Sequence, residues 1–214
     1  MPSKQTILDN LGSIANQGVL AAFAWHALIA CVLLALFVGW IPQKRSAALL
    51  LVLPLLSVSL VAATHGNPFN LLIVGVGALG LAALGLRLPR TTAYRGNRTQ
   101  LVAGMLGIVV GASYPHFLMG HSPAFYLVAA PVGLLPCPTL AAVIGFALLG
   151  GGFHSRAWST TLAALGLFYG VFGAFRLEVW LDFTLVGLAL TLLGSAWLPH
   201  HRVFALKAGT PPAR

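Results

Sequence analysis

The sequence has very little charge, and almost none of it is negative. Only three Asp and Glu residues occur among 214, against 12 Lys and Arg, and charged residues together make up 7%. A soluble domain carries roughly 25% charged residues. A chain this poor in charge cannot cover its surface with solvated groups. The composition therefore excludes an ordinary soluble domain and favours a protein whose surface faces a lipid bilayer.

The sequence also lacks the elements of several functional classes. Its two cysteines, Cys31 and Cys137, allow one disulfide at most, which excludes a disulfide framework. It contains no nucleophile elbow, phosphate-binding glycine loop, zincin motif or Cys-x-x-Cys pair, so no enzymatic activity and no particular cofactor is predicted. The N-terminus shows no charged stretch leading into a short apolar run with a cleavage site, so we expect no cleaved signal peptide.

Long apolar runs dominate the chain. About 20 apolar residues in helical conformation cross the hydrocarbon core of a bilayer. We therefore predict an all-α fold, a polytopic transmembrane bundle of about seven helices in a single integral membrane domain, 1–214. The predicted spans are 19–40, 47–64, 69–86, 101–118, 138–153, 158–175 and 179–198.

Prolines interrupt the chain before the fifth predicted span. A single helix over 122–153 would be about 48 Å long, more than a bilayer requires. We therefore predict a re-entrant or interfacial segment over 123–135 and a helix that begins at Pro138, since proline suits a first helical turn. The interrupting residues are Pro123, Pro131, Pro136 and Pro138.

The basic residues alternate between the gaps that separate the predicted spans. Lys4 and Arg176 would lie on one side of the membrane. Cytoplasmic loops carry the excess of Lys and Arg, which predicts an outside N-terminus and a cytoplasmic C-terminus. Because these cations occupy short gaps between apolar runs, the expected partners are the lipid bilayer and other membrane subunits, with no nucleic acid. The other side would carry Lys44, Arg45, Arg87, Arg90, Arg95, Arg98, Arg156, Arg202, Lys207 and Arg214.

Polar side chains gather at the predicted outer ends of the spans. Such groups are costly inside a membrane, so we interpret them as a candidate binding site. Glu178 and Asp182 are four residues apart and would share a helix face, as a carboxylate pair for a cation or proton. Alternatively, Asp182 pairs with Arg176 or a histidine while Glu178 is solvated. The candidates are His26, His65, His116, His121, Cys137, Thr139, Glu178 and Asp182.

Two of these candidates allow different chemistry. His26 can ligate a metal or haem, relay a proton, or simply bond a neighbouring helix. Cys137 lies between two prolines at a predicted helix start, where the helix N-terminus favours a thiolate or an anion. The alternative for Cys137 is an inert, small apolar side chain. For His116 and His121 the alternative is a solvated loop position.

The stretch around Cys137 resembles a known family. Pro136-Cys137-Pro138-Thr139 opens an apolar helix after Gly133, and Gly120-His121 precedes a proline. Together with the Asn-containing segment 10–17 and Asp182, this arrangement is similar to a family of bacterial polytopic membrane proteins of unknown function. The family usually has an aromatic-proline pair in the first helix, where this chain has 24–26, Ala-Trp-His. The resemblance implies a bacterial inner-membrane protein and draws attention to His121, Cys137 and Asp182, but it implies no reaction.

Three functions are compatible with these patterns. The first is a small permease or solute-binding membrane protein with an outward-facing polar site, and we favour it. The second is an accessory subunit of a larger membrane complex, since apolar surfaces and short loops suit subunit contacts. The third is a membrane redox protein that binds a metal or haem through histidines and Cys137.

Overall fold

The computed structural model describes residues 3–93, 95–118 and 122–197. Within these ranges the chain is all-helical, as predicted, with nine α-helices. They are α1 (Lys4–Gln17), α2 (Val19–Phe37), α3 (Lys44–Thr64), α4 (Pro68–Leu86), α5 (Arg98–Ala112), α6 (Tyr126–Ala129), α7 (Pro136–Leu149), α8 (Arg156–Val171) and α9 (Asp182–Trp197).

Four helices are long and apolar enough to cross a membrane. They are α2, α3, α4 and the combined segment Arg156–Arg176, in which a π-helical turn, Phe172–Arg176, continues α8. The helices α5, α7 and α9 are apolar but have only 14 to 16 residues. Compared with the predicted spans, α5 ends earlier, at Ala112, α7 begins earlier, at Pro136, and α9 begins later, at Asp182.

The helix α1 lies before the first predicted span and is not predicted by the sequence analysis. The Ser3 hydroxyl caps it by accepting a hydrogen bond from the Thr6 amide at 3.1 Å. Leu11, Ile14 and Ala15 form its buried face, and the rest of the helix is mostly polar. The spacing of these three residues is that of an amphipathic helix lying on a surface.

The segment before α7 is irregular and largely buried. A single 3-10 turn, Pro123–Phe125, leads into the one-turn helix α6, and residues 129–136 are all buried. Leu135 has extended backbone and Pro136 takes the first position of α7. Irregular backbone at this depth is tolerated where protein surrounds it. The stretch 123–135, for which the sequence predicts a re-entrant or interfacial segment, consists of a 3-10 turn, one turn of α-helix and a buried connection.

The helix α7 occupies the centre of the bundle and buries 11 of its 14 residues. It packs closely on α5, where glycines face each other across the contact. A Cβ atom at Gly107 would lie 2.8 Å from the Ala141 carbonyl oxygen, and one at Gly145 would lie 2.6 Å from the Gly104 carbonyl oxygen. Small residues let helix backbones approach in this way without a hydrophobic driving force.

The two ends of the bundle differ in charge. At one end, which we call the acidic end, Asp182 contacts Tyr114, and Lys4 pairs with Glu178. At the other, the basic end, Arg156 lies over the Trp197 ring. There the 86–98 connection also bonds to the start of α3 and the end of α7. The helix ends that lie together at each end of the bundle are those expected if successive long helices run in alternating directions.

The outer surface of the bundle is apolar. Leu20 is 84% exposed, Phe37 87% and Val76 68%. Soluble monomers rarely expose large contiguous apolar patches. Exposed tryptophans also lie at both ends, Trp180 at the acidic end and Trp197 at the basic end, as in the aromatic belts of membrane proteins.

Because α5 and α7 are in close contact, we expect a single added methyl group between them to lower the stability of the protein. Gly145→Ala places a Cβ against the Gly104 carbonyl and forces the helices apart, which we expect to cost about 1–3 kcal/mol. The matched control is Gly187→Ala in α9, where a Cβ meets nothing within 4 Å. Thermal unfolding in detergent should show a lower Tm for Gly145→Ala and an unchanged or higher Tm for the control. Equal Tm values in the two variants would contradict the close contact.

Candidate functional site

Asp182 is the centre of the acidic end. It is the first residue of α9 and is only 2% exposed. The Tyr114 hydroxyl, just after α5, donates a hydrogen bond to its Oδ1 atom at 2.7 Å. Gly173 lies directly against the carboxylate, with no room for a Cβ atom. A buried carboxylate is stable only when donors satisfy it, and Tyr114 supplies one of them.

Cys137 brings α7 to the same carboxylate. Its thiol donates to the Tyr169 carbonyl oxygen at 3.9 Å, and the Asp182 carboxylate is close enough to interact electrostatically with it. Because Cys137 is the second residue of α7, the positive end of the helix dipole faces this region. The sequence predicted an unusual setting for Cys137, and the structure places its thiol beside a carboxylate.

A second buried pair extends the site to α4 and α8. The Tyr169 hydroxyl donates to Asn70 Oδ1 at 3.0 Å, and Asn70 is only 7% exposed. Since Tyr169 also contributes the carbonyl near Cys137, polar groups from five parts of the chain are joined. We call this set the buried polar network. It comprises Asn70, Tyr114, Cys137, Tyr169 and Asp182.

The helix α1 covers the acidic end. Leu11 and Ile14 pack in the same cluster as Tyr114, Leu177 and Val179. The Asn16 amide donates to the Phe117 carbonyl oxygen at 2.9 Å. An ion pair between Lys4 and Glu178 holds the start of α1. The network is thus separated from the surface by an amphipathic helix.

Glu178 and Asp182 do not form a pair on one helix face. Glu178 precedes α9 and has a positive φ of 59°, so it lies outside the helix that Asp182 begins. Its exposed side chain bonds Lys4, while Asp182 is buried. The two carboxylates therefore have separate roles: one fastens α1 and the other lies in the network.

Three predicted histidines bond locally or pack against a ring. Both ring nitrogens of His26 lie 2.8 Å from carbonyl oxygens, those of Ala22 and Ala112, so His26 joins α2 to the end of α5. His65 contacts the Val61 carbonyl oxygen at 2.9 Å. His116 packs edge-on against the Phe117 ring, and partial burial lowers the pKa of its imidazole.

Two predicted site residues, Thr139 and His121, remain to be compared with the structure. Thr139 is fully buried, but the backbone uses its hydroxyl, which donates to the Leu135 carbonyl at 2.6 Å and accepts from the Gly133 amide at 2.8 Å. It thus stabilises the turn before α7. His121 lies outside the described residues. Sequence reasoning missed Tyr169, whose signal was a tyrosine within an otherwise apolar span.

The described part of the chain holds no group of three or more His, Cys, Asp and Glu side chains arranged to bind a metal. No family model, curated protein or solved structure matches this chain. The likeness of the Cys137 segment to a family of bacterial membrane proteins therefore stays a prediction.

The hydrogen bond between Tyr114 and Asp182 can be measured with a double-mutant cycle. We expect Tyr114→Phe alone to destabilise the protein by about 1–3 kcal/mol, because a buried carboxylate loses a donor. In an Asp182→Asn background the same change should cost less, since no charge remains to be satisfied. Unfolding in detergent measures both, and Tyr126→Phe, which removes a hydroxyl bonded to the Leu118 carbonyl, is the control. A coupling free energy of zero would contradict the contact.

Proposed function

We propose that the chain crosses the membrane seven times, through α2, α3, α4, α5, α7, α8 and α9. The apolar outer surface and the tryptophans at both ends support this proposal. The 14-residue α7 is only about 21 Å long, but neighbouring helices surround it, so it need not match the lipid thickness itself. A turn of 3-10 helix, Gly151–His154, continues the chain beyond it.

We further propose that the acidic end faces outward and the basic end faces the cytoplasm, in a bacterial inner membrane. The exposed arginines of the 86–98 connection support this orientation, because cytoplasmic loops carry the excess of basic residues. The C-terminus would then be cytoplasmic and α1 would lie on the outer membrane surface. An amphipathic helix suits that location.

The orientation can be tested with thiol reagents that do not cross the membrane. Single cysteines replacing Ser122 and Arg95, in a background of Cys31→Ala and Cys137→Ala, would report the two ends. We expect labelling of Ser122→Cys in intact cells and of Arg95→Cys only after the membrane is opened. The reverse pattern would overturn the orientation, and labelling of both in intact cells would overturn the seven-span arrangement.

We propose that the protein is a small permease or solute-binding membrane protein whose site is the buried polar network. The observation that carries the proposal is the buried Asp182 carboxylate, to which helices α7 and α9 and the end of α5 contribute polar groups. An intramembrane carboxylate is a functional candidate by default. A negative group among neutral donors suits a proton or a small cation. Solute would enter when α1 moves off the acidic end.

Flux across a membrane tests this function directly. Purified protein in liposomes with an internal pH dye, under a potassium diffusion potential set with valinomycin, should pass protons faster than empty liposomes. Sodium and thallium influx would be measured in parallel. We expect Asp182→Asn to reduce the flux at least tenfold, whereas Glu178→Gln, which alters an exposed carboxylate, retains it. Liposomes with protein that match empty ones for all three cations would contradict the permease proposal.

The second candidate is an accessory subunit of a membrane complex, and the exposure of α2 favours it. Within α2 only Ala22 is buried, although 18 of the 19 residues are apolar. Such a helix offers a large surface to another membrane protein. Flux in liposomes that contain no other protein would speak against this role. For the third candidate, a metal or haem protein, His26, His65 and His116 contact backbone carbonyls or an aromatic ring rather than converging.

A further inference from the structure

An apolar groove runs between α2, α3 and α7, away from the buried polar network. Its walls are apolar side chains that include Val32, Leu51, Pro54 and Phe146. The single polar group among its lining side chains is the Trp25 indole N–H, which donates to the Ser57 hydroxyl at 3.1 Å. The groove therefore presents hydrocarbon alone to an occupant.

The groove exists because α2 is attached to the bundle near one end only. Trp25 bonds α3 and its ring lies against Gly133, where no Cβ would fit. His26 bonds the end of α5. Beyond His26 no residue of α2 is buried. The groove thus lies beside the part of α2 that approaches the basic end.

A basic loop stands at that end of the groove. We give this name to residues 87–93 and 95–98, whose exposed arginines are Arg87, Arg90, Arg95 and Arg98. Backbone hydrogen bonds of 2.9 Å hold the loop in place: Lys44 donates to the Thr91 carbonyl, Ala93 to the Pro42 carbonyl and Gly96 to the Leu149 carbonyl. The arginines are therefore presented by a fixed backbone.

The loop and the groove share the same helices. Lys44, where the loop bonds α3, is six residues before the groove residue Leu50, or about 9 Å along the helix. Leu149, where the loop bonds α7, is three residues beyond the groove residue Phe146, or about 5 Å. A ligand with an apolar tail in the groove would place its polar head near the arginines.

The charges at the basic end suit an anion. The sequence has three acidic residues, of which Asp9 lies in α1 and Glu178 and Asp182 at the acidic end. No carboxylate side chain is therefore near the loop to compete for its guanidinium groups. Arginine binds phosphate in a bidentate geometry, which gives charge-assisted hydrogen bonds.

We propose that the groove and the basic loop form a binding site for one anionic phospholipid, with an acyl chain in the groove and the phosphate on the arginines. Two observations argue for this occupant: the lining side chains offer hydrocarbon, and exposed arginines with no carboxylate side chain nearby stand at the basic end. The site rests on the proposal that α2, α3 and α7 cross the membrane, and not on transport.

Lipid binding to the detergent-purified protein, measured by native mass spectrometry, tests the site. Dioleoyl-phosphatidylglycerol should bind at least tenfold more tightly than dioleoyl-phosphatidylcholine. Arg87→Gln with Arg90→Gln should bring the two affinities together, whereas Lys4→Gln, a cation at the acidic end, should not. Equal affinities in the wild-type protein, or an unchanged preference in the double variant, would overturn the phosphate site.

The groove is tested with a filled variant and a control on the same helix. Val32→Phe should weaken binding of both lipids at least fivefold by occupying the acyl-chain position. Leu34→Phe, at a position 63% exposed and outside the groove, should leave binding unchanged. Equal binding in the two variants would overturn the acyl-chain position. These results are independent of the flux and labelling experiments, so a failure here would be distinguishable from a failure of the proposed function.

Discussion

The contact between α5 and α7 is the constraint on which the rest of the structure depends. Gly104 and Gly107 bring α5 against the backbone of α7 at Gly145 and Ala141, closer than any side chain would allow. This approach places α7 in the middle of the bundle, where it buries most of its residues. The helices α3, α8 and α9 also pack against α7, and its first turn comes to lie among them at the acidic end.

The buried polar network follows from that position of α7. Cys137 reaches Asp182 because two prolines start the helix inside the bundle and not at the lipid surface. Tyr114 can donate to the same carboxylate because α5 ends at Ala112 and the chain turns inward. Buried polar groups are stable only when satisfied together, so the helix ends and the network depend on each other.

Much of the fold was predictable from the sequence, because the length of an apolar run reports a spanning helix directly. The all-α class, the helices α2, α3 and α4, and the interruption before α7 were expected on that basis. The early end of α5 was not expected, although Ser113 and Pro115 follow Ala112 closely and mark the end of the apolar run. The helix α1 was missed because it is short of apolar residues and its amphipathic face is only three or four residues wide.

The sequence predicted some of the residues of the candidate site, but it did not predict which of them contact each other. Cys137 and Asp182 stood out as polar groups in apolar surroundings, and the structure brings them close together. Glu178 and Thr139 stood out equally, yet Glu178 pairs with Lys4 and the Thr139 hydroxyl bonds to the backbone.

The short length of α7 also has a consequence for how the protein enters the membrane. In the proposed seven-span arrangement, 14 residues are too few for α7 to span the bilayer alone, so its insertion would depend on α5, which precedes it in the chain.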